Sequence, residues 1–276
     1  MLKKFRNFTY QHAIPVSFIL AFAFFWLVIG VNTLFSLVSD SLVSQYVRTI
    51  FAIIYPIGIA VLFGFKGTLP LKPKNFFKGL LIGLPFIFVQ FIVLIDFFST
   101  TADNPNAVWK PWYLIILSIL SLIEIAVREE FIYRATIQNI LAKKYAHSVK
   151  GIWITAIVSA VVFGSIHLCN IFAGLDPKVA IVQATTNIFV GLFFAAIYLR
   201  SKNIWTPVAI HALTDMAGLA KSKFLMHQSD IAVMGSLSWR SLIGGVLFAG
   251  LAIFLLRPSK CKALLSNLEA DHKEKK

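Results

Sequence analysis

Long uncharged apolar runs recur along the chain and are separated by short polar segments. A helix needs about 18 or more consecutive apolar residues to cross a bilayer, so runs of this length are typical of membrane spans. The segments between the runs carry turn-forming residues such as Asp176-Pro177 and Ser201-Lys202-Asn203. The predicted spans are 13–38, 46–65, 76–98, 111–141, 151–172, 179–199, 204–220 and 237–256.

This pattern predicts an all-α fold, a polytopic membrane helix bundle with about eight transmembrane helices. The composition agrees, because 58% of the residues are hydrophobic and only 14% are charged. Soluble domains usually have about 45–50% apolar and about 25% charged residues. The loops leave no room for a soluble domain, so residues 1–276 are predicted to form a single membrane domain.

The distribution of basic residues predicts the orientation of this bundle. Eighteen of the 26 Lys and Arg residues fall on one side of the predicted membrane and six on the other. The positive-inside rule therefore places both termini in the cytoplasm. The net charge of +14 is concentrated beside apolar segments, which favours membrane lipids over nucleic acid as its partner. The basic loops, with no recognisable eukaryotic targeting signal, favour a multi-pass protein of a bacterial plasma membrane.

Several ionisable side chains lie inside the predicted spans, where each costs about 2.5–3.5 kcal/mol and is a candidate for function. Each has a structural explanation when it is taken alone. An ion pair accounts for Glu124 with Arg128, and snorkelling to the interface accounts for Arg134. A single buried histidine is more often an interhelical contact than a catalyst. The whole group on three helices is harder to explain as packing: Glu129, Glu130 and Arg134 on the fourth span, His167 on the fifth, and His211 and Asp215 on the seventh.

Helical spacing arranges these residues into pairs. Residues four apart share a face, which predicts that Glu130 meets Arg134 and that His211 lies beside Asp215. The same spacing places Phe163 next to His167. Glu129 is rotated by about 100° from Glu130, so one glutamate can face a site while the other meets Arg134 or a neighbouring helix.

At these residues the chain resembles the CAAX protease and bacteriocin-processing family (CPBP, Abi) of intramembrane endopeptidases. Residues 129–134 match its EExxxR motif, 163–167 match FxxxH, and 211–215 match HxxxN/D. Each motif is short, but three in order on predicted spans are specific. The resemblance implies a catalytic core at about 111–220. Asp215 stands where many family members have Asn, and an ionised carboxylate cannot donate a hydrogen bond as an amide can.

The resemblance implies hydrolysis of a peptide bond in a membrane-associated protein or peptide. In eukaryotic relatives the substrate is a prenylated CAAX tail, and in bacterial relatives the role is often bacteriocin processing or self-immunity. Peptide hydrolysis needs an activated water and a stabilised oxyanion. Glu129 is expected to activate the water together with His167, while His211 and Asp215 stabilise the oxyanion. Glu130, Arg134 and Phe163 are expected to support these four residues.

Three alternatives stay open from the sequence. The enzyme uses no cofactor in the preferred mechanism, but zinc held by His167, His211, Glu129 and Asp215 is a plausible second choice. The usual helical zinc motif HExxH is absent. A transporter with the buried ionisable groups as an ion path, or a non-catalytic immunity or scaffold protein, is also compatible. The sequence names neither the substrate nor the oligomeric state.

The predicted span limits place Glu129 and His167 at different depths. The offset approaches roughly 20 Å at about 1.5 Å per residue. The two side chains can cooperate only if a helix tilts, is misbounded, or extends into the cytoplasm. We expect the fourth span to extend.

Overall fold

The computed structural model describes residues 1–38 and 42–273, and within these ranges the chain is almost entirely helical. A short 3-10 turn at Lys66–Thr68 precedes α4. The α-helices are α1 Leu2–Gln11, α2 Ala13–Val38, α3 Leu42–Leu62, α4 Pro73–Ala102, α5 Trp112–Glu130, α6 Asn139–Tyr145, α7 Val149–Ile166, α8 Pro177–Ser201, α9 Trp205–Phe224, α10 Asp230–Met234, α11 Ser241–Leu255 and α12 Pro258–Lys273.

Each of the eight predicted apolar segments coincides with a helical segment of this structure. Within the described residues, four helical stretches are long and apolar enough to cross a membrane, namely Ala13–Val31, Pro73–Ala102, Val149–Ala173 and Pro177–Ser201. A fifth is formed if α11 and Pro258–Ser266, which meet at a 53° bend, count as one span. The number eight and the cytoplasmic termini remain predictions. Helix α5 is outside this set because it carries four charged residues.

The predicted fourth span, 111–141, is not one regular α-helix, and its predicted end is wrong. A π-helical segment, Phe131–Gln138, joins α5 to α6, which continues to Tyr145. The hydroxyl of Thr136 donates to the carbonyl of Phe131, five residues earlier, which suits the wider π turn. Because this helical segment ends later than predicted, Glu129 and His167 lie at similar distances along the chain from the turn at 146–148.

Helices α7 and α8 form the most closely packed pair of the bundle. Ser148 caps α7 by accepting a hydrogen bond from the amide of Gly151, and Asp176 caps α8 in the same way through Lys178. Gly164 faces α8 so closely that a Cβ atom there would lie 2.7 Å from the carbonyl oxygen of Ala184. This approach brings α8 against the residues of α7 that precede His167.

Contacts at both ends hold α9 beside α5. At one end, the backbone amide of Lys110 donates to Phe224 and its ammonium group donates to the carbonyl of Ser222, each at 2.8 Å. At the other end, the Trp205 ring packs edge-on against Phe131 at 5.5 Å. The Trp205 indole also donates to the Leu69 carbonyl at 2.8 Å. These contacts fix the register that brings the polar residues of α5 and α9 together.

The outer face of α4 shows the exposure pattern of a helix in lipid. Phe88 and Ile95 are 65% and 64% exposed, whereas the polar Gln90 is 7% exposed. Large apolar side chains point away from the bundle and the polar side chain points into it. This arrangement is the reverse of a soluble helix and supports a membrane location.

Candidate active site

His211 lies at the centre of the polar cluster and contacts three carboxylates. Its Nδ1 atom is 2.8 Å from Oε1 of Glu130. Its Nε2 atom is 3.8 Å from Oε2 of Glu129 and 3.6 Å from Oδ2 of Asp215. An ionised carboxylate only accepts hydrogen bonds, so Nδ1 is the donor to Glu130. Nε2 is the atom that faces Glu129 and Asp215.

Arg134 is fully buried and holds Glu130 from the same helical segment. Its Nη1 atom donates to Oε1 of Glu130 at 2.9 Å, and its Nη2 atom donates to the Gly191 carbonyl at 3.3 Å. The guanidinium group also lies over the rings of Phe163 and Phe194, at 4.4 and 5.4 Å from their centroids. The expected pair between Glu130 and Arg134 is present. The interpretation that Arg134, taken alone, snorkels to the membrane interface is wrong, because packing and hydrogen bonds hold its guanidinium group inside the bundle.

His167 is the first residue of a 3-10 segment, His167–Ala173, that follows α7 directly. Its Nδ1 atom lies 3.0 Å from the Phe163 carbonyl oxygen, so the outer nitrogen, Nε2, is left for other contacts. The Phe163 ring packs edge-on against both imidazoles, at 5.1 Å from His167 and 5.9 Å from His211. His167 interacts electrostatically with Glu129 and His211. The structure thus brings together the sequence-predicted residues of three helical segments.

Exposure divides the cluster into a closed base and an open edge. The side chains of Glu130 and Arg134 are 0% exposed and that of His211 is 6% exposed. The side chains of Glu129 and Asp215 are 21% and 23% exposed. The open edge is therefore the part that a water molecule or a substrate can reach, while the base fixes its geometry.

Comparison with known families agrees with this geometry. Residues 110–217 match the family model described as type II CAAX prenyl endopeptidase, Rce1-like. This segment is therefore similar to the Rce1-like CAAX endopeptidase family. The resemblance inferred from the three motifs is confirmed, whereas the catalytic core expected at about 111–220 stays a prediction. No curated protein and no solved structure matches the chain.

The metal-free mechanism and the zinc alternative both stay predictions for the Rce1-like segment. Within residues 1–38 and 42–273, no three His, Cys, Asp or Glu side chains are grouped so that they could hold one. The carboxylate oxygen of Glu130 that is nearest His211 already accepts from Arg134. His211 and Asp215 face each other through Nε2 and Oδ2, at a distance longer than a hydrogen bond.

Two residues of the Rce1-like segment that shape the site were not identified from the sequence. Gly191 of α8 accepts from Arg134, and a Cβ atom there would lie 2.8 Å from the Phe163 ring. The Phe194 ring packs against His211 at 5.2 Å. Both lie one helical turn apart on α8, which carries no motif residue. Only the small size of Gly191 in an otherwise bulky helix offered a signal.

The contact between Glu130 and His211 was not specified by the sequence, which paired Glu130 with Arg134 and otherwise left open only an unnamed neighbouring helix. Spacing within a helix predicts pairs along that helix. It does not predict which residue of α9 faces α5. The structure shows that Glu130 accepts from both partners and joins the two helices at the site.

Proposed function

We propose that the protein is an intramembrane endopeptidase of the CAAX-processing type, which hydrolyses a peptide bond with a water molecule activated by Glu129 and His167. One observation carries the proposal. Glu129 and Asp215 lie at the open edge of a buried polar cluster, and both face Nε2 of His211. The cluster lies within the segment that matches the Rce1-like family.

In the first step Glu129 accepts a proton from water, whose oxygen attacks the carbonyl carbon of the scissile bond. A partly shielded carboxylate is suited to this role of general base. His167 orients the same water through Nε2, because its Nδ1 atom already faces the Phe163 carbonyl. The carbon–oxygen bond forms as the carbonyl π pair moves onto the oxygen, which becomes an oxyanion.

His211 is placed to stabilise this oxyanion through Nε2. Its Nδ1–H group is committed to Glu130, so Nε2 donates only when the ring is protonated. Asp215, 3.6 Å from Nε2, either holds that imidazolium or donates to the oxyanion when it is itself protonated. The oxyanion then collapses, the carbon–nitrogen bond breaks, and Glu129 returns its proton to the leaving amine.

Glu130, Arg134 and Phe163 support this geometry without touching the substrate. Glu130 orients His211 and neutralises Arg134, while Phe163 separates the two imidazoles. Catalytic groups held by buried neighbours need less reorganisation when charge develops, which is the main source of electrostatic catalysis. The supporting residues are thus expected to affect folding as well as rate.

A metal-dependent version of the reaction assigns zinc to His167, His211, Glu129 and Asp215. Bound zinc would lower the pKa of a water molecule and polarise the carbonyl. The preferred version uses no metal, because Glu129 and His167 already supply a base and an orienting group. Removal of metal ions by a chelator distinguishes the two versions, since only the zinc version should lose activity.

The proposed substrate is a membrane-associated protein or peptide whose cleavage site reaches the open edge. The proposed location is a bacterial plasma membrane, with membrane lipids as surrounding partners, and bacteriocin processing or self-immunity is the proposed context. A transporter or a non-catalytic scaffold would use the same ionisable residues without cleaving anything.

A cleavage assay in nanodiscs tests the proposal. The purified protein is incubated with a panel of prenylated and acylated lipopeptides and bacteriocin precursors, and products are identified by mass spectrometry. We expect wild type to cleave at least one substrate. Glu129→Gln, which removes the base and keeps the shape, should reduce the rate by about 10³-fold or more. The control Asp103→Asn alters an exposed carboxylate and should cleave normally. No cleavage by wild type, or full activity of Glu129→Gln, contradicts the proposal.

A further inference from the structure

Beside Glu129, two tyrosine hydroxyl groups are buried without a partner. Among the described residues, Oη of Tyr55 on α3 and Oη of Tyr133 on the π segment have no hydrogen-bond partner. Nε of Arg128 on α5 also has none. Buried polar groups are nearly always hydrogen-bonded, so an orphaned group points to a role or a ligand. Here three such groups occur together.

The two tyrosines are neighbours across the helix interface. The ring of Phe24 lies 5.7 Å from the Tyr55 ring and 6.2 Å from the Tyr133 ring. Tyr133 also packs edge-on against Phe163 at 5.0 Å, which places it directly beside the proposed site. Both tyrosines interact electrostatically with Glu129 and Arg128. The three donor groups therefore lie on the Glu129 side of the cluster.

The chemistry of these groups defines what they can bind. Arginine Nε–H only donates, and a tyrosine hydroxyl donates most readily to a carbonyl or carboxylate oxygen. Arg128 already neutralises Glu124 through Nη1 at 3.0 Å, so the region has donors to offer without a large excess of positive charge. A ligand that satisfies all three must present acceptor oxygens. A peptide backbone does so at every residue.

The surroundings leave a route for such a ligand. The side chains of Arg128 and Glu129 are 16% and 21% exposed, whereas Tyr133 is 1% exposed. The donor groups thus extend from an accessible edge to a closed end. Phe24, which contacts both tyrosines, also lines an apolar cavity of about 90 Å³ between α2, α3 and the π segment.

We infer that Tyr133, Tyr55 and Arg128 form a substrate-binding subsite beside Glu129, which holds a peptide oxygen of the substrate by hydrogen bonds. The inference rests on the proposed endopeptidase function and adds to it a place where the substrate backbone is held. The oxygen belongs either to a chain carbonyl or to a terminal carboxylate, which share the same acceptor chemistry. The subsite binds substrate and takes no proton during the reaction.

Tyr→Phe substitutions test the subsite because they remove only the hydroxyl group. The probe is the lipopeptide that wild type cleaves fastest. Its affinity is measured by fluorescence in nanodiscs, in a Glu129→Gln background that does not turn it over. A neutral hydrogen bond contributes about 0.5–1.5 kcal/mol, which corresponds to a loss of about 2- to 13-fold in affinity. We expect a loss in this range for Tyr133→Phe and for Tyr55→Phe, and a larger loss for the double variant.

Stability provides the matched control. The hydroxyls of Tyr133 and Tyr55 have no protein acceptor, so their removal should leave the melting temperature unchanged or raise it. The hydroxyl of Tyr10 on α1 donates to the Phe63 carbonyl at 2.8 Å, so it has the protein acceptor that the other two hydroxyls lack. Tyr10→Phe should lower the melting temperature and leave the affinity unchanged. A general effect of losing a hydroxyl group would not produce this opposite pattern.

The outcomes separate this inference from the proposed function. If wild type cleaves no member of the panel, the proposed function fails and the subsite fails with it. If wild type cleaves but both Tyr→Phe variants bind normally, the subsite alone is wrong. A fall in kcat at unchanged KM and affinity, measured with Glu129 intact, also overturns it, since the hydroxyls then act on Glu129. An amidated lipopeptide, which lacks the terminal carboxylate, identifies the bound oxygen. If the Tyr→Phe variants still lose affinity for it, the oxygen belongs to a chain carbonyl. If they no longer lose affinity, the oxygen belongs to the terminal carboxylate.

Discussion

Nδ1 of His211 and Oε1 of Glu130 are 2.8 Å apart, and the same glutamate oxygen accepts from Nη1 of Arg134 at 2.9 Å. One carboxylate oxygen thus joins α9 to α5 and orients the imidazole. The other oxygen of Glu130 has no partner among the described residues. Removing either neighbour would leave a buried charge that is only partly compensated. Because this oxygen holds both His211 and Arg134, losing it is expected to affect folding and catalysis together.

Loss of Glu130 or Arg134 is expected to lower both stability and activity. Glu130→Ala or Arg134→Ala leaves its partner charged at a site with 0% exposure, and breaking such a buried pair costs roughly 3–5 kcal/mol. Thermal unfolding in detergent and cleavage in nanodiscs measure the two effects. Glu124→Ala is the matched control, because its pair with Arg128 has the same spacing but is partly exposed. Glu124→Ala should lower the free energy of unfolding by less than either buried-pair variant. A Glu130→Ala protein that is inactive but as stable as wild type would assign Glu130 a catalytic role.

Asp215→Asn distinguishes the metal-free mechanism from the zinc alternative. A zinc ligand at Asp215 would lose a charged donor, so metal binding and turnover would both fall. An oxyanion donor at Asp215 would gain an amide hydrogen, so the variant should be tolerated or faster. We expect tolerance, together with full activity after prolonged chelation. Activity that chelation abolishes and zinc restores, with a crippled Asp215→Asn variant, overturns the metal-free mechanism.

Gly164→Ala is expected to destabilise the bundle by forcing α7 and α8 apart. The new Cβ atom would lie 2.7 Å from the backbone of both Ala184 and Ile188, and backbone atoms cannot move aside as a flexible side chain can. Overpacking of this kind costs about 1–3 kcal/mol. Gly250→Ala in α11 is the control, since nothing lies within 4 Å of its Cβ position. It should stabilise by about 0.4–1 kcal/mol. Equal melting temperatures of the two variants would contradict the tight α7–α8 contact.

The pair between Asp230 and Lys223 is expected to make a pH-dependent contribution to stability. Burial raises the pKa of Asp230, but hydrogen bonds from Lys223 and Ser222, each 2.7 Å long, outweigh it, and the pKa is lowered overall. A lowered pKa stabilises the folded protein above the unfolded value of about 3.9. The contribution is lost as the pH falls through the lower folded value.

Asp230→Asn measures this contribution. The aspartate side chain is 42% exposed, so solvent screening limits the expected loss to about 0.2–1 kcal/mol at neutral pH. The difference from wild type should begin to shrink near pH 4 and continue to shrink as the pH falls further. Unfolding followed between pH 7 and pH 3 tests the sign. A difference that grows on acidification would show that the ion pair is not its source.

The sequence alone predicted the helices and the members of the candidate site. Apolar runs and the cost of buried charge are local properties, so they are visible without a structure. Glu129, His167, His211 and Asp215 stood out because ionisable groups are rare in such runs. Spacing of four residues correctly paired Glu130 with Arg134, and three short motifs identified the family that residues 110–217 match.

The tertiary structure decided everything that depends on how different helices face each other. Helical periodicity fixes the face of a residue on its own helix but not the rotation, tilt or depth of that helix against another. For this reason the sequence missed the Glu130–His211 contact, the close approach of Gly191 and the orphaned hydroxyls of Tyr55 and Tyr133. It also misplaced the end of the fourth helix, because the π segment keeps the chain helical into a polar stretch where hydropathy no longer marks a span. A pattern read along one chain identifies which residues are out of place in a membrane. Only packing between helices determines which of them meet.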